Sequence, residues 1–217
     1  RGYMRNGMAP NNSQGKSGTA NFLDGGVKGS LNVDMGRGHA FSIGAGYELR
    51  APMANTAVIS PEISNDFVTN LKNERIFSSE FSYQYRNAWL SANVSGYYSR
   101  LENVTEWQNF YNDDENSFTY VSMTGLKKEY YGVEVGAKFK LTSWLDLKTL
   151  GAMSEAKNIN NVNAVYMLSK SAEVYQDKAY VMNMRESGTP LTVGSIGLDA
   201  NVNGWFVNLN ANYYDRI

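Results

Sequence analysis

The sequence predicts an all-β fold, an antiparallel up-and-down transmembrane β-barrel of which this chain supplies about 8–9 strands. Apolar and polar residues alternate over long segments such as Tyr131–Leu141 and Trp205–Tyr213. Short turns alternate with long polar connections along the chain, and tryptophans follow the short turns directly. Because successive side chains of a strand point to opposite faces, such alternation gives each strand one apolar and one polar face.

Eight alternating segments are predicted to form strands. They are Val27–Met35, Phe41–Tyr47, Phe77–Tyr85, Leu90–Tyr98, Tyr131–Leu141, Trp144–Met153, Ile196–Val202 and Trp205–Tyr213. Trp144–Met153 is the weakest, because Leu150 and Ala152 fall on its polar side. The longest runs match the roughly 9–11 residues that a tilted strand needs to cross a bilayer. Soluble sheets have strands of about 5–6 residues, so a soluble β-rich binding module is the weaker alternative.

Short turns join these segments in pairs. The turns are Gly36-Arg37-Gly38, Asn87-Ala88, Thr142-Ser143 and Asn203-Gly204. Asn-Gly is a strong hairpin pattern, because both residues tolerate positive φ. Trp89, Trp144 and Trp205 follow three of the turns, and His39 follows the other. We expect the three tryptophans to form part of an interfacial aromatic girdle.

Long connections are predicted on the opposite side of the sheet. They cover Arg1–Ala20, roughly Ala51–Glu74, roughly Gln108–Ser117 and a region within Lys157–Pro190. Short turns on one side and long loops on the other are typical of outer-membrane barrels. The chain begins in a long loop and ends within a strand. This favours part of a larger barrel over the alternative of a small self-closed eight-stranded barrel, which is physically possible.

Composition excludes several other classes of protein. The 217 residues include no cysteine, so disulfides, thiol catalysis and Cys-ligated zinc are excluded. His39 is the single histidine, and the net charge of −1 gives no footprint for nucleic acid. The longest apolar run, Ala164–Leu168, is far shorter than the roughly 20 residues of a transmembrane helix. We expect no enzyme activity and no cofactor.

Several passages, in order and spacing, resemble the C-terminal barrel region of TonB-dependent outer-membrane receptors. The likeness is to the Bacteroidetes-type receptors, which have a carboxypeptidase-regulatory-like N-terminal domain. The passages are Gly15-Lys16-Ser17, Phe22–Gly29, Tyr47–Pro52, Asn70–Glu74, Tyr131–Glu134, Gly188–Leu198, Gly204–Phe206 and Asn212–Arg216.

The resemblance implies that residues 1–217 are part of a single C-terminal barrel domain, which in this family is a 22-stranded barrel. A plug and a TonB-contacting segment would precede this region and are absent from this chain. The implied function is active import of a nutrient across the outer membrane of a Gram-negative bacterium. The implied partners are outer-membrane lipid, the receptor's own N-terminal plug and the TonB–ExbB–ExbD complex. Family analogy adds a surface lipoprotein. A structural or adhesive barrel without transport is the alternative.

Loop residues give candidate ligand contacts. Trp107, Phe110 and Tyr111, with Phe118 and Tyr120, could stack on a flat ligand. Asp113 and Asp114, with Glu115, could bind Ca²⁺, which takes clustered oxygen ligands, although their spacing does not resemble a calcium loop. The alternative for the aromatics is a strand that continues above the membrane, and for the acids a solvated loop tip. Both alternatives are preferred, and no metal site is predicted.

Polar residues of two adjoining strands are predicted to face the lumen. They are Glu134, Lys138, Lys140, Asp146 and Lys148. They could face a plug or a substrate path, or they could form salt bridges across neighbouring strands.

Overall fold

A computed structural model describes residues 2–3, 18–60, 64, 66–171, 173–186 and 191–215. Gly15-Lys16-Ser17, Gly188-Thr189-Pro190 and Arg216, which carry part of the family resemblance, lie outside the described residues, as does most of Arg1–Ala20. The described part consists of strands, turns and irregular segments. It contains no helix that is long and apolar enough to span a membrane.

Twelve strands are present in the described residues. In chain order they are β1 (Gly2–Tyr3), β2 (Ala20–Asn21), β3 (Gly25–Gly36), β4 (His39–Arg50), β5 (Glu74–Arg86), β6 (Leu90–Asn112), β7 (Ser117–Lys140), β8 (Leu145–Asn158), β9 (Val162–Leu168), β10 (Val174–Ala179), β11 (Thr192–Val202) and β12 (Trp205–Asp215).

The wall of the fold is an antiparallel sheet that follows chain order. Strands β3 to β8, β11 and β12 lie side by side, and β1 pairs only with β2. The predicted all-β, up-and-down architecture is confirmed. Strands β3 and β12 form the two edges and do not pair with each other, so the alternative of a self-closed eight-stranded barrel is wrong for the described residues.

Strand register gives the sheet two chemically different faces. Val133 and Val135 lie opposite Met153 and Gly151 on one side, which we name the outer face. The intervening residues belong to the other side, the inner face. There Glu134, Gly136 and Lys138 of β7 lie opposite residues of β8, namely Ala152, Leu150 and Lys148. Leu150 and Ala152 are therefore on the polar side of the sheet, as the sequence indicated.

The short turns lie together at one end of the wall. Trp89 stacks on Phe139 with ring centroids 6.3 Å apart, and Trp89, Trp144 and Trp205 are all well exposed. The other turn-following residue, His39, hydrogen-bonds through Nδ1 to the Tyr83 hydroxyl at 2.6 Å. This end therefore presents the aromatic residues that the sequence placed after the turns.

The long-loop end contains more strand than the sequence predicted. The long connection predicted at Gln108–Ser117 is wrong, because β6 runs to Asn112 and β7 begins at Ser117. The connection predicted within Lys157–Pro190 contains the hairpin of β9 and β10, and β9 also pairs with the upper part of β7. Strand β9 has buried residues on both faces, and its sequence is mostly apolar without alternation.

Two buried apolar clusters lie at this long-loop end. The first consists of Ile59, Val68, Tyr120, Val165 and Met167, and the second of Val104, Met123, Leu126, Val162 and Ala164. Alternate residues of β9 enter different clusters, which fixes the hairpin against β7. Burial of a large aliphatic side chain contributes about 1.5–3 kcal/mol, so the clusters stabilise the loops into a compact structure.

Glycine is required at the first short turn for two reasons. Gly38 has φ 84°, which is unfavourable for residues with a Cβ. A Cβ at Gly38 would also overlap the backbone carbonyl of Arg86, whose N–H donates to the Gly38 carbonyl at 2.8 Å. At the last short turn, Gly204 has the same φ of 84°, but no atom lies near the position of a Cβ.

We predict that Gly204→Ala costs on the order of 1–2 kcal/mol, the cost of left-handed backbone alone. Gly38→Ala should cost at least about 1 kcal/mol more, because Arg86 must also move. Urea unfolding of the two variants in the same full-length protein measures the difference. Equal midpoints would contradict the close approach of Arg86 to Gly38.

Candidate functional site at the long-loop end

Two of the candidate ligand-binding aromatics belong to the core of the long-loop end. Tyr120 is only 4% exposed. Trp107 packs against the first buried cluster, with its ring 6.3 Å from that of Tyr120. Tyr120 is therefore not available for stacking on a ligand in this structure, and Trp107 stabilises the loops.

The other candidate aromatics are exposed but do not share one face. Tyr111 and Phe118 lie opposite each other across the hairpin, edge to face at 5.3 Å. Phe110 is adjacent to Tyr111 in β6 and pairs with Thr119, so it points to the opposite side. All three are about half exposed. Phe110 and Tyr111 lie on β6 and Phe118 on β7, where both strands continue beyond their alternating segments. That these parts of the strands stand above the membrane stays a prediction.

The structure forms a second aromatic pair that the sequence did not single out. Tyr166 of β9 stacks on Tyr175 of β10 with ring centroids 5.2 Å apart and an interplanar angle of 17°. The register places this pair on the same side as Phe110. Only the pairing of β9 with β10 brings these tyrosines together, and the sequence offered no sign of that pairing.

The acidic hairpin tip is held by local contacts. The Asn112 side-chain oxygen accepts hydrogen bonds from the backbone N–H groups of Asp114 and Glu115, at 3.1 and 3.3 Å. The carboxylate of Glu115 pairs with Lys170 at 2.7 Å, and the Asp113 carbonyl accepts from the N–H of Asn116. Among the described residues, no group of three or more acidic or histidine side chains is arranged to hold a metal ion.

The inner face of the wall carries ion pairs between neighbouring strands. Lys138 pairs with Asp146 at 2.6 Å, and Lys148 pairs with Asp199 of β11. The salt-bridge alternative thus holds for three of the predicted lumen-facing residues. Glu134 and Lys140 make no ion pair with any residue in the described ranges.

A buried lysine ties a loop to the wall near the second cluster. Lys128 is 4% exposed, and its ammonium group donates to the carboxylates of Glu106 and Glu186. The Tyr130 hydroxyl donates to the same Glu186 oxygen at 2.7 Å. The backbone N–H of Glu186 donates to the Ala156 carbonyl at 2.9 Å. These contacts join residues 180–186 to β6, β7 and β8.

The charges of Lys128 and Glu186 are both stabilised by the contacts of these residues. Burial alone would raise the pKa of Glu186, but the hydrogen bonds from Lys128 and Tyr130 outweigh it and hold the pKa below its ordinary value. Burial alone would lower the pKa of Lys128, yet hydrogen bonds to Glu106 and Glu186 raise it. Lys128 and Glu186 are therefore both charged at neutral pH.

We predict that Lys128→Met destabilises this region by about 3–5 kcal/mol, because it leaves carboxylates without their buried partner. Lys170→Met is the matched control. It removes the exposed pair with Glu115 and should cost less than about 1 kcal/mol. Limited proteolysis within residues 173–186 measures the effect, and similar cleavage rates for the two variants would contradict it.

We predict that acid weakens the attachment of residues 180–186 to the wall. Because the folded pKa of Glu186 is depressed, its stabilising effect is present above the unfolded pKa and is lost as the pH falls through the folded pKa. The raised pKa of Lys128 matters only at strongly alkaline pH. Amide protection of residues 180–186, corrected for intrinsic exchange rates, should therefore fall below about pH 4. Glu186→Gln should remove most of this pH dependence; an unchanged profile would refute the role of Glu186.

A long antiparallel sheet with an apolar outer face and a polar inner face is typical of the wall of a membrane β-barrel. The chain belongs to the family "TonB dependent receptor-like, beta-barrel", whose sequence model matches residues 7–216. This is a family of receptors, in agreement with the expectation that the chain is not an enzyme.

One solved structure that the chain matches is the "Copper transporter OprC". The two are 19% identical with a TM-score of 0.49, and the match covers 82% of this chain and 26% of that chain. The chain thus spans about a quarter of the length of that protein. No curated protein sequence matches it.

Proposed function

We propose that this chain forms part of the barrel wall and extracellular loops of a TonB-dependent receptor that imports a nutrient across the outer membrane of a Gram-negative bacterium. The observation that carries the proposal is the family match, which extends over residues 7–216. The two-faced wall and the folded long loops agree with it.

Aromatic residues on the outer face indicate where the wall would lie in the membrane. Tyr47, Phe77, Tyr98 and Tyr131 each lie eight or nine residues from the short-turn end of their strands, which begin or end at His39, Arg86, Leu90 and Lys140. At about 3.3 Å per residue and a tilt near 40°, this length spans roughly 20–25 Å, close to the apolar band of such barrels. These residues would be one aromatic girdle, and Trp89, Trp144 and Trp205 the other.

In the proposed receptor, this chain does not by itself control the passage of substrate. A plug would close the lumen of a 22-stranded barrel. TonB–ExbB–ExbD would act through a TonB-contacting segment and supply the energy to rearrange the plug. The paired ions of the inner face would present a polar wall to the plug and the substrate. The Bacteroidetes type and a surface lipoprotein as partner are further parts of this proposal.

The test uses the full-length gene in its own bacterium. A deletion strain is grown on a panel of limiting nutrients that includes haem, siderophores, glycans, peptides and vitamins. The strain should fail on at least one of them. The full-length receptor should restore growth, and a version without the TonB-contacting segment should not, although it is present in the outer membrane. Growth restored by the version without the TonB-contacting segment would favour the structural or adhesive alternative. A full-length chain that contains no plug would favour it too.

A charge introduced on the outer face should destabilise the protein far more than the loss of a charge on the inner face. Val135 lies midway along the apolar part of β7, opposite Val94 and Gly151. Val135→Arg should cost about 2–4 kcal/mol, the cost of an arginine facing lipid at the bilayer midplane. Lys138→Gln removes only a partly exposed ion pair and should cost under about 1 kcal/mol.

Folding of both variants into vesicles, followed by heat-modifiable migration on a gel, measures the difference. If the two substitutions impaired folding equally, the assignment of outer and inner faces would be wrong.

A further inference from the structure

A polar pocket of about 210 Å³ lies at the long-loop end, between the connection from β4 to β5 and the hairpin of β9 and β10. Val165, which belongs to the first buried cluster, contributes an apolar part of its lining. Most of the other lining side chains are carboxamides or hydroxyls, and one is a lysine. They include those of Asn70, Lys72, Asn103, Thr124, Asn163 and Gln176. We name this cavity the amide pocket.

Backbone turns and hydrogen bonds hold the walls of the amide pocket in place. Asn103 has φ 59° where β6 changes register, and Gly125 has φ 78° at the next register change, in β7. The side-chain N–H of Asn103 donates to the Asn73 carbonyl at 3.1 Å, which joins β6 to the connection that carries Lys72. The Gly125 carbonyl accepts from the side-chain amide of Asn160 at 3.0 Å. The pocket is therefore built by fixed contacts of the chain itself.

Four polar side chains of the lining are available to a ligand. Those of Asn70, Lys72, Asn163 and Gln176 belong to exposed residues and make no hydrogen bond or ion pair with any residue that the structure describes. Val165 pairs in register with Gln176, so both lie on one side of the hairpin. The alternating side chains of the stacked tyrosine pair lie on the other side. The amide pocket is therefore separate from the exposed aromatic residues.

The positive charge of Lys72 is not neutralised by the acidic residues that flank the lining. None of the lining residues is acidic. Glu74, two residues beyond Lys72, is buried and paired with Arg50 at 2.7 Å. Glu102, beside the turn in β6, pairs with Arg100 at 2.9 Å. An anionic group of a ligand would therefore meet a free ammonium group in the pocket.

Strand β10 adds positive charge on the same side. Lys178 lies in register with Asn163, on the side of the hairpin that borders the pocket. Asp177 pairs in register with Ala164, so its carboxylate points to the opposite side of the strand. The surroundings of the pocket therefore favour an anion.

The lining and the volume define the chemistry of a ligand. Carboxamides both donate and accept hydrogen bonds, as the hydroxyls of a sugar do, and an ammonium group donates to a carboxylate. An amino acid fits poorly, because no lining carboxylate would receive its ammonium group. The volume is below the roughly 300–1,000 Å³ of pockets for drug-sized ligands, so it fits one ring.

We propose that the amide pocket binds a uronic acid, a sugar ring that carries a carboxylate. The carboxylate lies against Lys72, and the ring hydroxyls exchange hydrogen bonds with Asn70, Asn163 and Gln176. Charge-assisted hydrogen bonds are stronger than neutral ones, so the carboxylate supplies the selectivity. The proposal depends on the packing of the long-loop end and not on import, so a barrel that transports nothing would still bind this sugar.

The experiment uses the full-length receptor in detergent, with glucuronate and galacturonate as acidic probes and glucose and galactose as their neutral counterparts. NMR titration, observed by saturation transfer from protein to sugar, gives the Kd of each. The wild-type protein should bind at least one uronate about tenfold more tightly than its neutral counterpart. Lys72→Gln should remove most of that preference, and Lys72→Arg should retain it. Lys170→Gln, which removes a lysine already paired with Glu115, is the matched control and should leave it unchanged.

A further variant tests the pocket apart from its charge. Asn163 is an exposed residue of β9 that lines the pocket, and Asn163→Trp would fill it without adding charge. It should weaken binding of the uronate and of the neutral sugar alike. Heat-modifiable migration verifies that every variant is folded.

Four results would each overturn the proposal. The wild-type protein could bind neither uronate, or bind a uronate and its neutral counterpart equally. Lys72→Gln could keep the preference or lose no more of it than Lys170→Gln. Asn163→Trp could bind the uronate as tightly as the wild-type protein.

Discussion

Backbone N–H and C=O groups of neighbouring strands pair with each other throughout the wall. No water satisfies these groups inside a bilayer, so every strand of the wall must bond to its neighbours. The continuous ladders from β3 to β12 meet this requirement within the wall. Because the ladders fix the register, they also decide which residues face outward. A slip of one residue would turn Val135 inward and Lys138 outward, so register and membrane compatibility are the same property here.

The same register explains how far the sequence predicts the fold. Where one face meets an apolar environment and the other a polar one, alternation appears in the sequence, as in Tyr131–Leu141. The prediction fails where this asymmetry ends. Strand β9 has apolar clusters on both sides, and the long-loop ends of β6 and β7 pack against loops. None of these three segments therefore shows a clean period of two. The extended hairpin and the β9–β10 pair therefore become visible only in the structure.

The candidate sites differ for a similar reason. The sequence could identify exposed aromatics at the hairpin tip, because Phe110 and Tyr111 are local features of β6. It could not identify the Lys128 cluster, since Glu106 and Glu186 come from distant parts of the chain. Nor could it separate Tyr120, which is buried, from Phe118, which is exposed. Side-chain roles at the long-loop end depend on tertiary packing, whereas side-chain roles in the wall follow from position in a strand.

The two faces of the wall imply that it separates lipid from a polar lumen. The most direct measurement places single spin labels at consecutive positions from Val133 to Lys138 in the full-length receptor, reconstituted in lipid. This chain has no cysteine of its own that would compete for the label. Collision rates with oxygen, which concentrates in the bilayer, should rise at Val133, Val135 and Ala137 and fall at the residues between them. Collision rates without a two-residue period, or with maxima at Glu134 and Lys138, would show that the wall does not separate lipid from a lumen in this way.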